Sequence, residues 1–149
     1  MNRIFKAMRG VTLLEVMLVL AIAAMIIVMS VRYYQSANAT SQSNTVVSTV
    51  TAIAAAGDQL AAGAGGSYAG LTQVAISNLL PPNSMTTPWG SAITITAFVA
   101  NGYLITVPQV PVNQCSLVSA KVTANPSFTT ATPCAAAAPT DLKFTYTAT

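Results

Sequence analysis

Histidine is absent from this chain of 149 residues, and only three acids occur, Glu15, Asp58 and Asp141. With no imidazole, no Ser/His/Asp or Cys/His arrangement can be assembled for nucleophilic catalysis. Zinc loses its usual nitrogen donor, and two cysteines, Cys115 and Cys134, are too few to enclose the ion. Calcium takes about six to eight oxygen ligands, which so sparse a set of carboxylates serves poorly. Asp58 and Asp141 are the one conceivable carboxylate pair outside the N-terminal apolar run, and helix capping or surface solvation accounts for them more simply. The stretch GAGGSYAG at residues 63–70 lacks the lysine and the strand context that a phosphate-cradling loop needs. The expectation is a protein that is not an enzyme, with no catalytic residue, no cofactor and no metal site.

Charge of either sign is also scarce. Charged residues form 6% of the chain, against about a quarter in an ordinary soluble domain, so apolar and small polar side chains must carry most of its interactions. Of the six basic residues, Arg3, Lys6 and Arg9 precede the apolar run, while Arg32, Lys121 and Lys143 are scattered and leave no basic stripe. A specific nucleic-acid partner is therefore not expected. Glycine and proline are missing from residues 11–56, which lets one helix run uninterrupted through that span.

What is present begins at residues 10–31, GVTLLEVMLVLAIAAMIIVMSV, an apolar run whose single charge is Glu15. At about 1.5 Å per residue, residues 11–31 extend roughly 30 Å as a helix, about the hydrocarbon thickness of a bilayer. The basic flank of Arg3, Lys6 and Arg9 favours a cytoplasmic N-terminus, with the remainder exported. A cleavable secretory signal has an apolar region of only about 7 to 15 residues followed by a small-residue cleavage site. Here the run is longer, and the small residue, Gly10, precedes it. Glu15 is the liability, because a carboxylate in hydrocarbon costs on the order of a few kcal/mol.

Arg9-Gly10 followed by Val11-Thr12-Leu13-Leu14-Glu15-Val16 resembles the class III signal of type IV prepilins: a basic leader, a glycine, then an apolar helix whose fifth residue is glutamate. Many members of that family carry Phe or Met where Val11 stands. The resemblance implies cleavage after Gly10 by a prepilin peptidase and methylation of the new amine of Val11. A neighbouring subunit's Glu15 then meets that amine inside a bundle of helices, and a wrongly staggered subunit leaves both charges unpaired. Read from the residues alone, Glu15 is a carboxylate near a helix start, favoured by the helix dipole. Once the leader is gone, Arg32, Lys121 and Lys143 balance Glu15, Asp58 and Asp141.

Beyond the apolar run, Val46, Val50, Ile53, Gly57 and Leu60 recur at the spacing of one helical face, so the helix is expected to continue to residue 62 with that face as core. Arg32, Tyr33 and Tyr34 fall where the anchor leaves the bilayer. Residues 36–45 are rich in Ser, Asn and Thr, and their poor helix propensity allows a local loosening; a flexible stalk is the alternative to a rod. Residues 63–70 form a breaker and loop, and residues 72–80 a short helix stopped by Pro81 and Pro82. Ile93, Ile95 and Phe98, then Leu104, Ile105 and Val107, flank Asn101-Gly102 as a hairpin with a tight turn. Asn113 is placed as the cap of a helix over residues 114–122, and residues 142–147 alternate as a closing strand.

Gly66-Ser67-Tyr68-Ala69-Gly70-Leu71-Thr72, then Thr87-Pro88-Trp89-Gly90, and the hairpin before a cysteine-bearing helix resemble the PilS-like type IVb pilins. The implied fold class is α+β: a long N-terminal helix packed on a small antiparallel sheet. Its implied organisation is a leader at residues 1–10, a helix at 11–62 with 11–31 as membrane anchor and filament core, and a globular head at 63–149. Trp89 reads as a packing anchor. In type IV pilins the pair matching Cys115 and Cys134 closes a C-terminal loop by a disulfide, worth roughly 3 kcal/mol for a loop of this size; two free thiols are the alternative. The implied function is a major pilin of a type IVb pilus serving adhesion or conjugation. It would wait in the inner membrane and end in a homopolymer on the cell surface, with a prepilin peptidase, an assembly platform, a motor ATPase and an outer-membrane secretin as partners. A minor pilin or type II secretion pseudopilin, and an adhesin or DNA-uptake pilin, are the alternatives.

Overall fold

The computed structural model describes residues 12–130 and 132–148. It divides into two compact units, residues 1–37 and residues 38–149. Helix α1 (Leu13–Gly63) is the one element of the first unit's described residues and the opening element of the second. The helix runs for 51 residues without a proline, through the glycine-free span to residue 56 and on past Gly57. Residues 36–45, poor helix formers by composition, are helical throughout. Ser43 and Thr45 hydroxyls there turn back to donate to the carbonyls of Ala39 and Ser41, at 2.8 and 3.1 Å. The helix thus absorbs side chains that otherwise compete with its backbone.

In the first unit, apolar side chains occur on every side of α1 and stand exposed, among them Leu13, Leu14, Met17, Leu18, Ile26 and Ile27. The mean hydropathy reaches 2.7 over an 18-residue window, long and apolar enough to cross a membrane. Thr12 Oγ1 accepts the Glu15 amide at 3.3 Å and so caps the helix start.

The second unit is an α+β fold matching the type IV pilin fold. Its later elements are α2 (Gln73–Leu79), β1 (Thr94–Val99), β2 (Gly102–Val110), α3 (Val112–Thr123), β3 (Phe128–Thr130) and β4 (Thr140–Thr147). The strands form one antiparallel sheet in the order β1-β2-β4-β3. Alternation along β4 buries Leu142, Phe144 and Tyr146 and leaves Asp141, Lys143 and Thr147 exposed. That buried row joins Val46, Val50 and Ile53 of α1 in one core, as the helical spacing predicts, with Leu60 packed at its margin.

Two local expectations are corrected, and one strand is new. The hairpin turn consists of Ala100 and Asn101, since Val99 pairs with Gly102 and Gly102 already belongs to β2. A Cβ on Gly102 would overlap the Tyr146 carbonyl, so the glycine serves close approach of β4 rather than turn geometry. Pro111, not Asn113, stands at the N-cap of α3, and it supplies no side-chain hydrogen bond. Strand β3 had no expected counterpart.

Two bulges interrupt the ladders on either side of β2, one on β1 and one on β2 itself. Ala97 and Phe98 oppose the single Tyr103, with Ala97 at φ 54°, and Pro108 and Gln109 oppose Asp141, with Gln109 at φ 54°. A proline is tolerated there because a bulge needs no ladder donor. The outer side of β1 is covered in part by Gln73 of α2, whose Oε1 accepts the Ile95 amide at 3.0 Å.

Candidate functional site

The processing residues Gly10 and Val11 lie outside the described residues. Glu15 stands exposed in the first turn of α1, its amide bonded to Thr12 O at 3.0 Å. A carboxylate at that place is favoured by the unpaired N–H groups and dipole of the helix start. Around and beyond it the exposed surface of residues 13–31 is apolar, broken only by the Ser30 hydroxyl, which donates back to Ile26 O at 2.8 Å.

The cysteines are joined. Cys115 in α3 and Cys134 form a disulfide with Cα atoms 5.8 Å apart, closing a loop across 19 positions. Cys115 is fully buried, while Cys134 is exposed. Trp89 donates from Nε1 to Pro108 O at 2.9 Å, so its indole ties the 87–91 loop to the bulge of β2, the packing role expected of it.

Asp58 and Asp141 do not act as a pair. Asp141 Oδ1 accepts the Gln109 amide at 2.8 Å and thereby satisfies the β2 bulge. Asp58 takes the phenol of Tyr68 on Oδ1 at 2.6 Å and that of Tyr146 on both oxygens, at 2.7 and 2.9 Å. Tyr103 completes an aromatic cluster with ring centroids 5.6 Å from Tyr68 and 5.1 Å from Tyr146, and its hydroxyl donates to Ile53 O at 3.3 Å. Phe98 and Phe128 close the two ends, 5.7 Å from Tyr103 and 5.1 Å from Tyr146. Burial pushes all three phenols above their ordinary value, and the Asp58 carboxylate adds to the shift because a phenolate beside it would be repelled. The three hydroxyls remain protonated donors at neutral pH.

No family model, curated protein or solved structure matches this chain. The architecture is nevertheless pilin-like: a long apolar N-terminal helix followed by a small antiparallel sheet with a disulfide-closed loop near its C-terminus. Among the described residues no group of three or more His, Cys, Asp or Glu is placed to hold a metal ion.

The Asp58 cluster is what reading the sequence missed. Asp58 and Tyr146 stand 88 positions apart, and no periodicity links them. The one available signal was Gly57 on the core face of α1: a Cβ there would lie 2.6 Å from the Tyr103 hydroxyl, so the glycine marks where a large side chain approaches the helix.

Proposed function

We propose that this chain is a structural subunit, a major pilin of the type IVb class, and not an enzyme. A prepilin peptidase cleaves it after Gly10 and methylates Val11; it resides in the inner membrane with its N-terminus cytoplasmic and its head exported. Assembly packs residues 11–31 of many copies into a filament core at the cell surface, drawn by a platform and a motor ATPase and passed through a secretin, for adhesion or conjugation. The observation that carries this reading is the exposed apolar surface of α1 from Leu13 to Val31, next in sequence to a unit whose core closes without it. Such a surface is covered either by lipid or by other helices of the same kind. Moving from one to the other costs little hydrophobic energy, and Ala21, Ala23 and Ala24 permit close helix approach.

Glu15 supplies the register in this scheme, since in a bundle its carboxylate needs the amine of a neighbour's Val11. The test is Glu15→Val expressed in the native host. The variant should insert and be processed like the parent but yield few sheared surface filaments by electron microscopy. Abundant normal filaments would remove the register role. Filaments in which this chain is a trace component would assign it to a minor pilin instead.

A further inference from the structure

The second unit carries a cleft of about 310 Å³ that the polymerisation reading does not use. Helix α1 contributes Thr51, Ala55 and Asp58 to its lining, the turn from α3 to β3 contributes Asn125 and Ser127, and Tyr146 of β4 completes it. Its size is at the small end of the range for small-molecule sites, roughly 300–1,000 Å³.

The polar groups there are held in defined states. Asp58 is fixed from behind by two phenols, which load Oδ1 with two short bonds and Oδ2 with only the 2.9 Å contact from Tyr146. A carboxylate offers about four lone-pair positions, so Oδ2 retains acceptor capacity. Asn125 Oδ1 accepts the Ser127 amide at 3.0 Å, which orients the side-chain amide and leaves its N–H₂ group to donate. The Ser127 hydroxyl can do either. An acceptor, a donor and an ambivalent hydroxyl therefore line one small cleft.

Several ligand classes fail on charge and composition. An anion would meet the Asp58 carboxylate with no basic side chain in the lining. A divalent cation would find one carboxylate, where calcium needs about six to eight oxygens. Adjacent hydroxyl groups fit, because each donates through its hydrogen and accepts through its oxygen: one hydroxyl donates to Asp58 Oδ2 while its neighbour accepts from the Asn125 amide. Ala55, the exposed apolar side chain of the lining, offers its methyl group to the C–H face of a ring. We propose that this cleft binds a neutral sugar ring through a vicinal diol, with Asp58 as acceptor and Asn125 and Ser127 as its partners.

The experiment uses the full chain, unassembled, in a detergent without a sugar headgroup, and saturation-transfer NMR with methyl glycosides of mannose, galactose, glucose and N-acetylglucosamine. At least one glycoside is expected to bind saturably. Asn125→Asp keeps the oxygen that accepts the Ser127 amide but replaces the donor by a second negative charge, and should weaken binding roughly tenfold or more. Ala55→Trp, at an exposed position of α1, should abolish binding by filling the cleft while the thermal melt stays close to that of the parent. Absence of saturable binding by every glycoside overturns the proposal, and so does binding that both variants retain. Assembly is not read in this experiment, so a negative result leaves the filament reading standing.

Discussion

Gly57 and Asp58 set the contact between α1 and the sheet at the scale of single residues. The first lets the Tyr103 ring approach the helix, and the second anchors the hydroxyls of Tyr68 and Tyr146. Gly57→Ala gains helix propensity but forces its methyl against the Tyr103 hydroxyl, and such overpacking costs about 1–3 kcal/mol. Asp58→Ala leaves two largely buried phenols without their acceptor, a loss on the order of 2 kcal/mol, whereas Asp58→Asn retains a carbonyl oxygen and should lose less. Trp89 is the sole tryptophan and lies in the second unit, so its fluorescence in urea reads both changes as a lowered midpoint. An Asp58→Ala midpoint equal to that of the parent would remove the cluster from the account of stability.

At the scale of elements, most of the fold is legible where a repeating pattern is long. The four-three spacing of Val46, Val50, Ile53, Gly57 and Leu60 indicates the buried face of α1, and Leu142, Phe144 and Tyr146 indicate that of β4. Strand β3 is only three residues, Phe128–Thr130, too short to establish a period, and exists because β4 presents it an edge. The turn of the β1–β2 hairpin lies one position earlier than Asn101-Gly102 suggests, because β4 needs Gly102 for close approach and the sequence of the hairpin alone contains no trace of β4. The disulfide is an element-scale constraint of the same kind, tying α3 to the segment before β4. Closing a loop of this size stabilises by about 3 kcal/mol in the chain-entropy account. Reduction should therefore lower the melting temperature of the second unit by several degrees, read by circular dichroism with and without dithiothreitol. An unchanged melt with both thiols shown to be alkylated would contradict that contribution.

For the whole molecule, scarcity of charge makes pH act through the tyrosines. Tyr68, Tyr103 and Tyr146 have folded-state values raised above the ordinary phenol value of about 10. Their neutral forms are bound more tightly in the folded state, so the stability they contribute is complete below about pH 10 and is lost as pH rises beyond it, where the unfolded chain ionises first. Tyrosinate absorbance from these three residues should appear together with loss of the folded circular dichroism signal; ionisation of all three well before unfolding would contradict their burial. Among the described residues, the two units of residues 1–37 and 38–149 differ in what they leave exposed: the second buries most of its large apolar side chains in its own core, and the first presents its own bare. That contrast underlies the reading of a subunit made to be bundled with copies of itself. The most direct measurement is mass spectrometry of the N-terminal peptide of this chain in fibres sheared from the cell surface. The account predicts a peptide that starts at Val11 with a methylated amine and no trace of residues 1–10; fibres built from chains that retain Gly10 and the residues before it would contradict it.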